Sequence, residues 1–328
     1  MLVVVATRSK ESACPAGEGE TMTIARTMLV AGAIAFLPSA ATILSPGQAA
    51  AQVQTAVTVD PPRDAAHPPA MAALVIPSGD GAMNALLYTA AGAGPHPTLV
   101  FFHGFPGNEQ NLDLAQAARR AGWNVLTLHY RGSWGSPGRF SFAHCTEDAD
   151  AALAWLRAPA TVARFAIDPA RIAVAGHSMG GMMAASAAAG DSRVVGAFLI
   201  DPWDIAHDAK TLADPAKLAA FKRDELAGDM PPLAGTTEDA LIAEIMSASP
   251  RINLAATMPK LADRPLTIVY AEFGVGDAEK HRIEIAARAA HPKRLELTTW
   301  PTDHPFSDRR IALASALVAW LRQFEAGR

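Results

Sequence analysis

The chain has little cysteine, two residues in 328, too few for the disulfide framework of a small secreted scaffold. Cys14 precedes a segment that reads as a removable leader, so Cys145 is expected to stand alone in the mature chain. It reads as a small buried residue near the start of a helix rather than as a nucleophile beside His144. Charge is also sparse: charged residues make up 18% and the formal net charge is −4 at pH 7, with no block of either sign. That argues against nucleic acid and against stable membrane association as partners. No H-x-x-x-H and no clustered Cys/His spacing occurs, so neither a metal nor a cofactor is called for. There is no internal repeat and hence no solenoid. What the chain does have is apolar residues, 50% of the total, enough for one large α/β domain.

From Met22 the sequence runs "MTIARTMLVAGAIAFLPSAATILSPGQAAAQ". One arginine precedes an apolar stretch that closes on small residues, and the alanines before Gln52 fit an A-x-A site. This layout is that of a secretory signal peptide. The expectation is a leader over 1–51, its signal over 22–51, cleavage near Ala51/Gln52, and a secreted or periplasmic product. Met22 reads as the start of translation. Pro38 and Pro46 weigh against a retained membrane span.

Residues 52–70 are Pro-rich and read as a loose lead-in to a domain over 71–328. Strand-like and helix-like stretches then alternate. "AALVIP", "MNALLYTA", "TLVFFH", "NVLTLHY", "RIAVAG", "VVGAFLI", "LTIVYA" and "RLELTTW" read as strands. "NLDLAQAARRAG", "EDADAALAWLRA", the segment after Ser178, "AEKHRIEIAARAA" and "RRIALASALVAWLRQF" read as helices. Acidic residues in the first turn of the second of these suit the helix dipole. Strands apolar on both faces and alternating with helices predict an α/β fold, a mostly parallel central sheet with helices on both faces. Residues 201–263, helical and broken by prolines, read as an insertion between two late strands.

In such sheets ligands bind beyond the carboxyl ends of the strands. Ser178 lies there, in "AGHSMGG", between a strand and a helix. A turn that tight strains the middle residue and requires neighbours without bulk. It also puts the hydroxyl at a helix N-terminus, where developing negative charge is favoured. A serine hydroxyl needs a base, and His304, on the loop before the last helix, is the best placed of ten histidines. His177 is expected to point elsewhere on the turn, and His103 to brace its loop. The backbone amides of Phe105, in "FFHGFPGNE", and of Met179 are positioned as oxyanion donors.

"HGFPGNEQNLDLA", "YRGSWGSPG", "GHSMGG" and "TDHPFSDRR" together resemble the α/β-hydrolases, in the branch related to prolyl oligopeptidases and serine esterases. The resemblance runs from about residue 72 to 326 and implies Ser178 as nucleophile, His304 as base, and Phe105 and Met179 as oxyanion donors. The family usually places an aspartate soon after the strand written here "LTIVYA", where this chain continues "EFGVGDAEKH". Glu272, at the strand end, is the first candidate for the acid. Asp277 follows, with a capping role for α-helical "AEKH" as its competing reading. Asp201 and Asp204, after the preceding strand in "DPWD", are the third possibility, with Asp204 the choice between them. Asp303 is set aside because adjacent side chains diverge.

The function expected is hydrolysis of carboxylic esters through an acyl-enzyme. A serine peptidase on small peptides is the alternative within the same mechanism, and acyl transfer to an alcohol uses the same residues. A binding protein on a degenerate hydrolase scaffold is the alternative outside it. The peptide-trimming relatives usually carry an N-terminal propeller, for which the mature chain has no room. Trp134 and Trp203 are candidate substrate contacts. Phe221, Met230 and Met246 join Trp203 as candidates for an apolar pocket under the insertion.

Overall fold

The computed structural model describes residues 46–325, so the expected signal segment falls, up to residue 45, outside the described residues. Eight strands form one sheet: β1 Ala70–Ser78, β2 Gly81–Thr89, β3 His96–Phe102, β4 Asn124–His129, β5 Ile167–His177, β6 Val194–Ile200, β7 Pro265–Phe273 and β8 Arg294–Asp303. Their spatial order is β1-β2-β4-β3-β5-β6-β7-β8. Only the β1–β2 and β2–β4 pairs are antiparallel; β4 through β8 run parallel. The central strands are buried on both faces, as their unbroken apolar runs require.

Helices close both faces. α1 Pro46–Thr58, α2 Leu112–Arg120 and α11 Arg310–Leu321 cover one; α3 Phe142–Arg157, α4 Pro159–Phe165, α5 Met179–Gly190 and α10 Asp277–Ala289 lie on the other. The segment expected to be loose begins as structure. α1 runs through the expected cleavage point and packs on α11 and α2. Ala56 is buried there, and Arg120 donates through Nε to the Ala56 carbonyl at 2.6 Å and through Nη2 to that of Val57 at 3.2 Å. Alanine is the strongest helix former, and that run overrides the prolines, which begin at Pro61.

α3 also starts a turn earlier than its acidic residues suggested. Ser141 caps it by accepting from the His144 amide at 3.0 Å. Asp148 is therefore inside the helix and fully buried. It accepts from Arg131 Nε at 2.6 Å, the Arg131 amide at 2.8 Å and Ser78 Oγ at 2.6 Å. The arginine of "YRGSWGSPG" thus ties the end of β1, the loop after β4 and α3 together. Cys145, one turn before Asp148, is buried, and burial pushes its thiol pKa well up, which leaves it unreactive.

Residues 201–263 are the helical insertion expected between β6 and β7. They hold α6 Asp208–Thr211, α7 Pro215–Phe221, a wider turn over Lys222–Leu226, α8 Glu238–Ser247 and α9 Leu254–Thr257. Two of the prolines, Pro215 and Pro250, open helical turns, where a missing N–H costs nothing. Trp134 and Phe140 donate their amides to Pro232 and Ala234, and Ala234 donates to Gly132, which moors the insertion to the loop after β4.

Candidate active site

β5 ends on His177 and α5 begins on Met179, so Ser178 alone makes the turn. Its φ of 56° and ψ of −124° are unusual for a residue with a side chain. The surroundings hold it there: Ser178 donates its amide to the Ile200 carbonyl at 2.9 Å, and its carbonyl accepts from Gly181 at 2.9 Å and Trp203 at 3.1 Å. The flanking glycines are required by contact. A Cβ on Gly176 would lie 2.0 Å from the Gly180 carbonyl oxygen, and one on Gly180 would lie 2.1 Å from that of Phe102. Gly180→Ala is expected to cost about 3 kcal/mol or more of stability, as overpacking against immovable backbone does. Chemical denaturation checks this, and an unchanged midpoint contradicts it.

His304 follows β8 and lines the same cavity as Ser178, a space of about 570 Å³ that Phe105, Trp203, Phe221 and Val275 also line. Its Nδ1 meets Asp201 Oδ2 at 2.5 Å. Asp201 sits just past β6 with a left-handed φ of 39° and no exposed surface. Its carboxylate also accepts from the amides of Ala271 at 3.1 Å and Val275 at 3.0 Å, which offsets its burial. The loop after β7 makes this room: a Cβ on Gly274 would lie 1.8 Å from Asp201 Oδ2.

The structure therefore brings Asp201 to His304 and corrects the expected order of acids. Glu272 is exposed at the end of β7, and its contribution is a carbonyl that accepts from Lys280 Nζ at 3.0 Å. Asp277, the first residue of α10, has a fully exposed side chain with Lys280 Nζ at 3.7 Å. Asp204 is buried, but it pairs with Arg282 and accepts from the amides of Leu254 at 3.0 Å and Ala255 at 3.1 Å. It is occupied in holding α9.

Two histidines support the loops. Burial lowers the His177 pKa to about 3, with the adjoining His304 ring adding to the effect, so the ring is neutral. Its Nε2 lies 2.8 Å from the His304 carbonyl. That oxygen only accepts, so the tautomer carries its proton on Nε2 and donates to the His304 main chain. His103 Nδ1 is 2.6 Å from the Gly104 carbonyl, and burial lowers its pKa to about 4. It braces the loop that carries Phe105, as expected. Gly104 brings this loop close: a Cβ there would be 3.0 Å from Ser178 Cβ. Met179 opens α5, so its amide has no acceptor within the helix.

Of the two tryptophans expected to meet substrate, only Trp203 lines the cavity. The Trp134 side chain is tied back instead: Nε1 donates to the Pro106 carbonyl at 2.8 Å and the ring rests against His129. Phe221 lines the cavity, Met230 packs against the core, and Met246 is exposed on α8.

Residues 97–322 match the model of the alpha/beta hydrolase fold family, and the chain belongs to that family. It is similar to the putative esterase YheT of Escherichia coli (strain K12), 34% identical over 118 residues, which are 34% of this chain and 33% of YheT. It is similar also to the carboxylic ester hydrolase LipN of Mycobacterium tuberculosis (strain ATCC 25618 / H37Rv), 35% identical over 117 residues, 34% of this chain and 30% of LipN. The chain thus spans about a third of the length of the curated relatives it matches. Among solved structures, EstE1, a thermophilic carboxylesterase cloned from a metagenomic library, superposes with a TM-score of 0.58 at 20% identity, over 85% of this chain and 96% of EstE1. An esterase of Pyrobaculum calidifontis does so with a TM-score of 0.58 at 20% identity, over 84% and 90%. These likenesses establish the shared fold.

Proposed function

We propose that this protein is a serine hydrolase of carboxylic esters, with Ser178 as nucleophile, His304 as base and Asp201 as the acid that orients it. The observation that carries the reading is the contact at 2.5 Å between buried Asp201 and His304, which lines the cavity that the strained Ser178 also lines. The named esterase relatives support the choice of ester over other acyl substrates.

Ser178 Oγ attacks the ester carbonyl while His304 Nε2 takes its proton. The carbonyl oxygen becomes an oxyanion and is met by the amides of Met179 and Phe105. The imidazolium then gives its proton to the leaving alcohol and the acyl-enzyme forms. Water, deprotonated by the same imidazole, releases the acid and restores the serine. Asp201 fixes the tautomer with the proton on Nδ1 and offsets the charge that His304 gains. No step draws on a metal or cofactor.

A panel of p-nitrophenyl esters and aminoacyl anilides tests the class. Ester turnover is expected to exceed anilide turnover at least 100-fold in kcat/KM. Turnover of anilides alone would make the protein a peptidase, and turnover of neither would leave the binding-protein reading.

A further inference from the structure

The lining of the cavity that holds Ser178 and His304 is unusual for an acyl pocket. Besides Trp203 and Phe221 it carries four carboxyl groups: Asp208, Glu225, Asp229 and Glu279. Among the described residues, no lysine or arginine lines the cavity. The cations nearby are committed elsewhere. Arg282 pairs with Asp204, Lys280 donates to the Glu272 carbonyl, Lys222 pairs with Asp239, and Arg223 with Asp224. We infer that this cavity takes substrates bearing a protonated amine or quaternary ammonium group, selected by Asp208, Glu225, Asp229 and Glu279 together with the face of Trp203. This rests on the reading of Ser178 and His304 as an ester-hydrolysing pair.

The buried carboxyl groups among them are only partly compensated. Glu279 is buried and accepts one hydrogen bond, from the Asp204 amide, at 2.5 Å. Burial raises its pKa to about 8, with Asp208 and Asp204 pushing the same way and Arg282 opposing. Burial likewise raises Asp208, against the hydrogen bond from Trp203 Nε1 at 2.8 Å and the charge of His207. Asp229 is raised by burial and then by Glu225. A pocket for a purely apolar acyl chain gains nothing from such groups, and their desolvation is unfavourable. A cation placed among them favours their ionised forms and offsets that cost.

The geometry favours an organic cation over a metal ion. Among the described residues no three carboxylate, imidazole or thiol groups converge closely enough to hold a metal. Ca²⁺ and Mg²⁺ need about six or more oxygen ligands at short range, and Zn²⁺ needs about four converging ligands. A tetraalkylammonium or alkylamine spreads its charge over a larger surface and is held by dispersed carboxylates and an aromatic face. Trp203 supplies that face, and its ring is fixed by Phe105 at 6.3 Å and Phe142 at 5.7 Å between centroids.

The test uses the full chain and measures the rate at which a fluorophosphonate labels Ser178 in the presence of choline or of 3,3-dimethylbutan-1-ol, its uncharged isostere. Choline is expected to halve the rate at a concentration at least tenfold below that of the alcohol at low ionic strength. The difference should shrink in high salt. In the double variant Glu225→Gln, Asp229→Asn, whose substitutions lie in partly exposed parts of the insertion, it should narrow to about threefold or less. Equal protection by the two compounds, or by neither, overturns the inference while leaving the hydrolase reading intact. Undiminished selectivity in a double variant of wild-type stability overturns the assignment of these carboxylates. Absence of labelling in the wild type overturns the hydrolase reading itself, and the inference with it.

Discussion

Ser178→Ala is expected to lower kcat/KM for a short p-nitrophenyl ester by about 10⁴-fold or more, the scale on which removal of a serine nucleophile acts. Without Oγ there is no acyl-enzyme. What remains is water attacking a carbonyl polarised by the oxyanion amides. Stability should change little, because the amide and carbonyl of Ser178 make the bonds that hold the turn. The alanine must still adopt the left-handed φ of 56°, a strain the serine already bears. A matching loss of folding would make the activity loss uninformative, so the unfolding midpoint is measured alongside. Retention of more than about a tenth of the activity in a folded variant contradicts the assignment.

Asp201→Asn is expected to reduce kcat/KM by about 10³- to 10⁴-fold. An asparagine keeps the shape but turns either an amide NH₂ or a neutral carbonyl toward His304 Nδ1. In the first case the imidazole is driven to the wrong tautomer; in the second its developing charge is unsupported. The two amides that serve Asp201, from Ala271 and Val275, also lose a charged acceptor, which is expected to cost about 1–3 kcal/mol of stability. Glu272→Gln makes the contrast, since that side chain is exposed and away from His304. Its kcat/KM should stay within about twofold of wild type. A reversal of these two results would return the acid to the end of β7.

The contrast between these carboxylates marks where sequence reading stops. The tight turn at Ser178 is legible because its signal is local. Gly176 and Gly180 are demanded by contacts within four residues and with the adjoining strand, so the pattern and its cause share one stretch. The central strands are legible for the same reason: burial on both faces leaves an unbroken apolar run. Asp201 and His304 lie 103 positions apart, and their meeting depends on how far each strand projects beyond the sheet. Nothing in "DPWD" records that. Asp201 reaches the imidazole because β6 ends one residue before it, while Asp204, three residues on, is drawn to Arg282 and the start of α9.

Other differences have the same origin. Trp134 reads from the sequence as a candidate substrate contact, but a hydrogen bond to the Pro106 carbonyl turns its indole to the loop. The start of α3 was set by the cap at Ser141, a single hydroxyl that competed poorly with the acidic run after it. The carboxylates of the cavity come from α6, the turn after α7 and α10. Each reads alone as a solvated surface residue, and their convergence exists only once the insertion folds over the sheet.

The proposed mechanism depends on a nucleophilic hydroxyl at one position. The most direct measurement is tandem mass spectrometry of the protein after reaction with a fluorophosphonate, mapping the modified residue. One phosphonyl group per chain is expected, on Ser178, with its appearance matching the loss of esterase activity and absent in Asp201→Asn over the same time. Full loss of activity with Ser178 unmodified, or stoichiometric modification of another residue, would contradict the proposed mechanism.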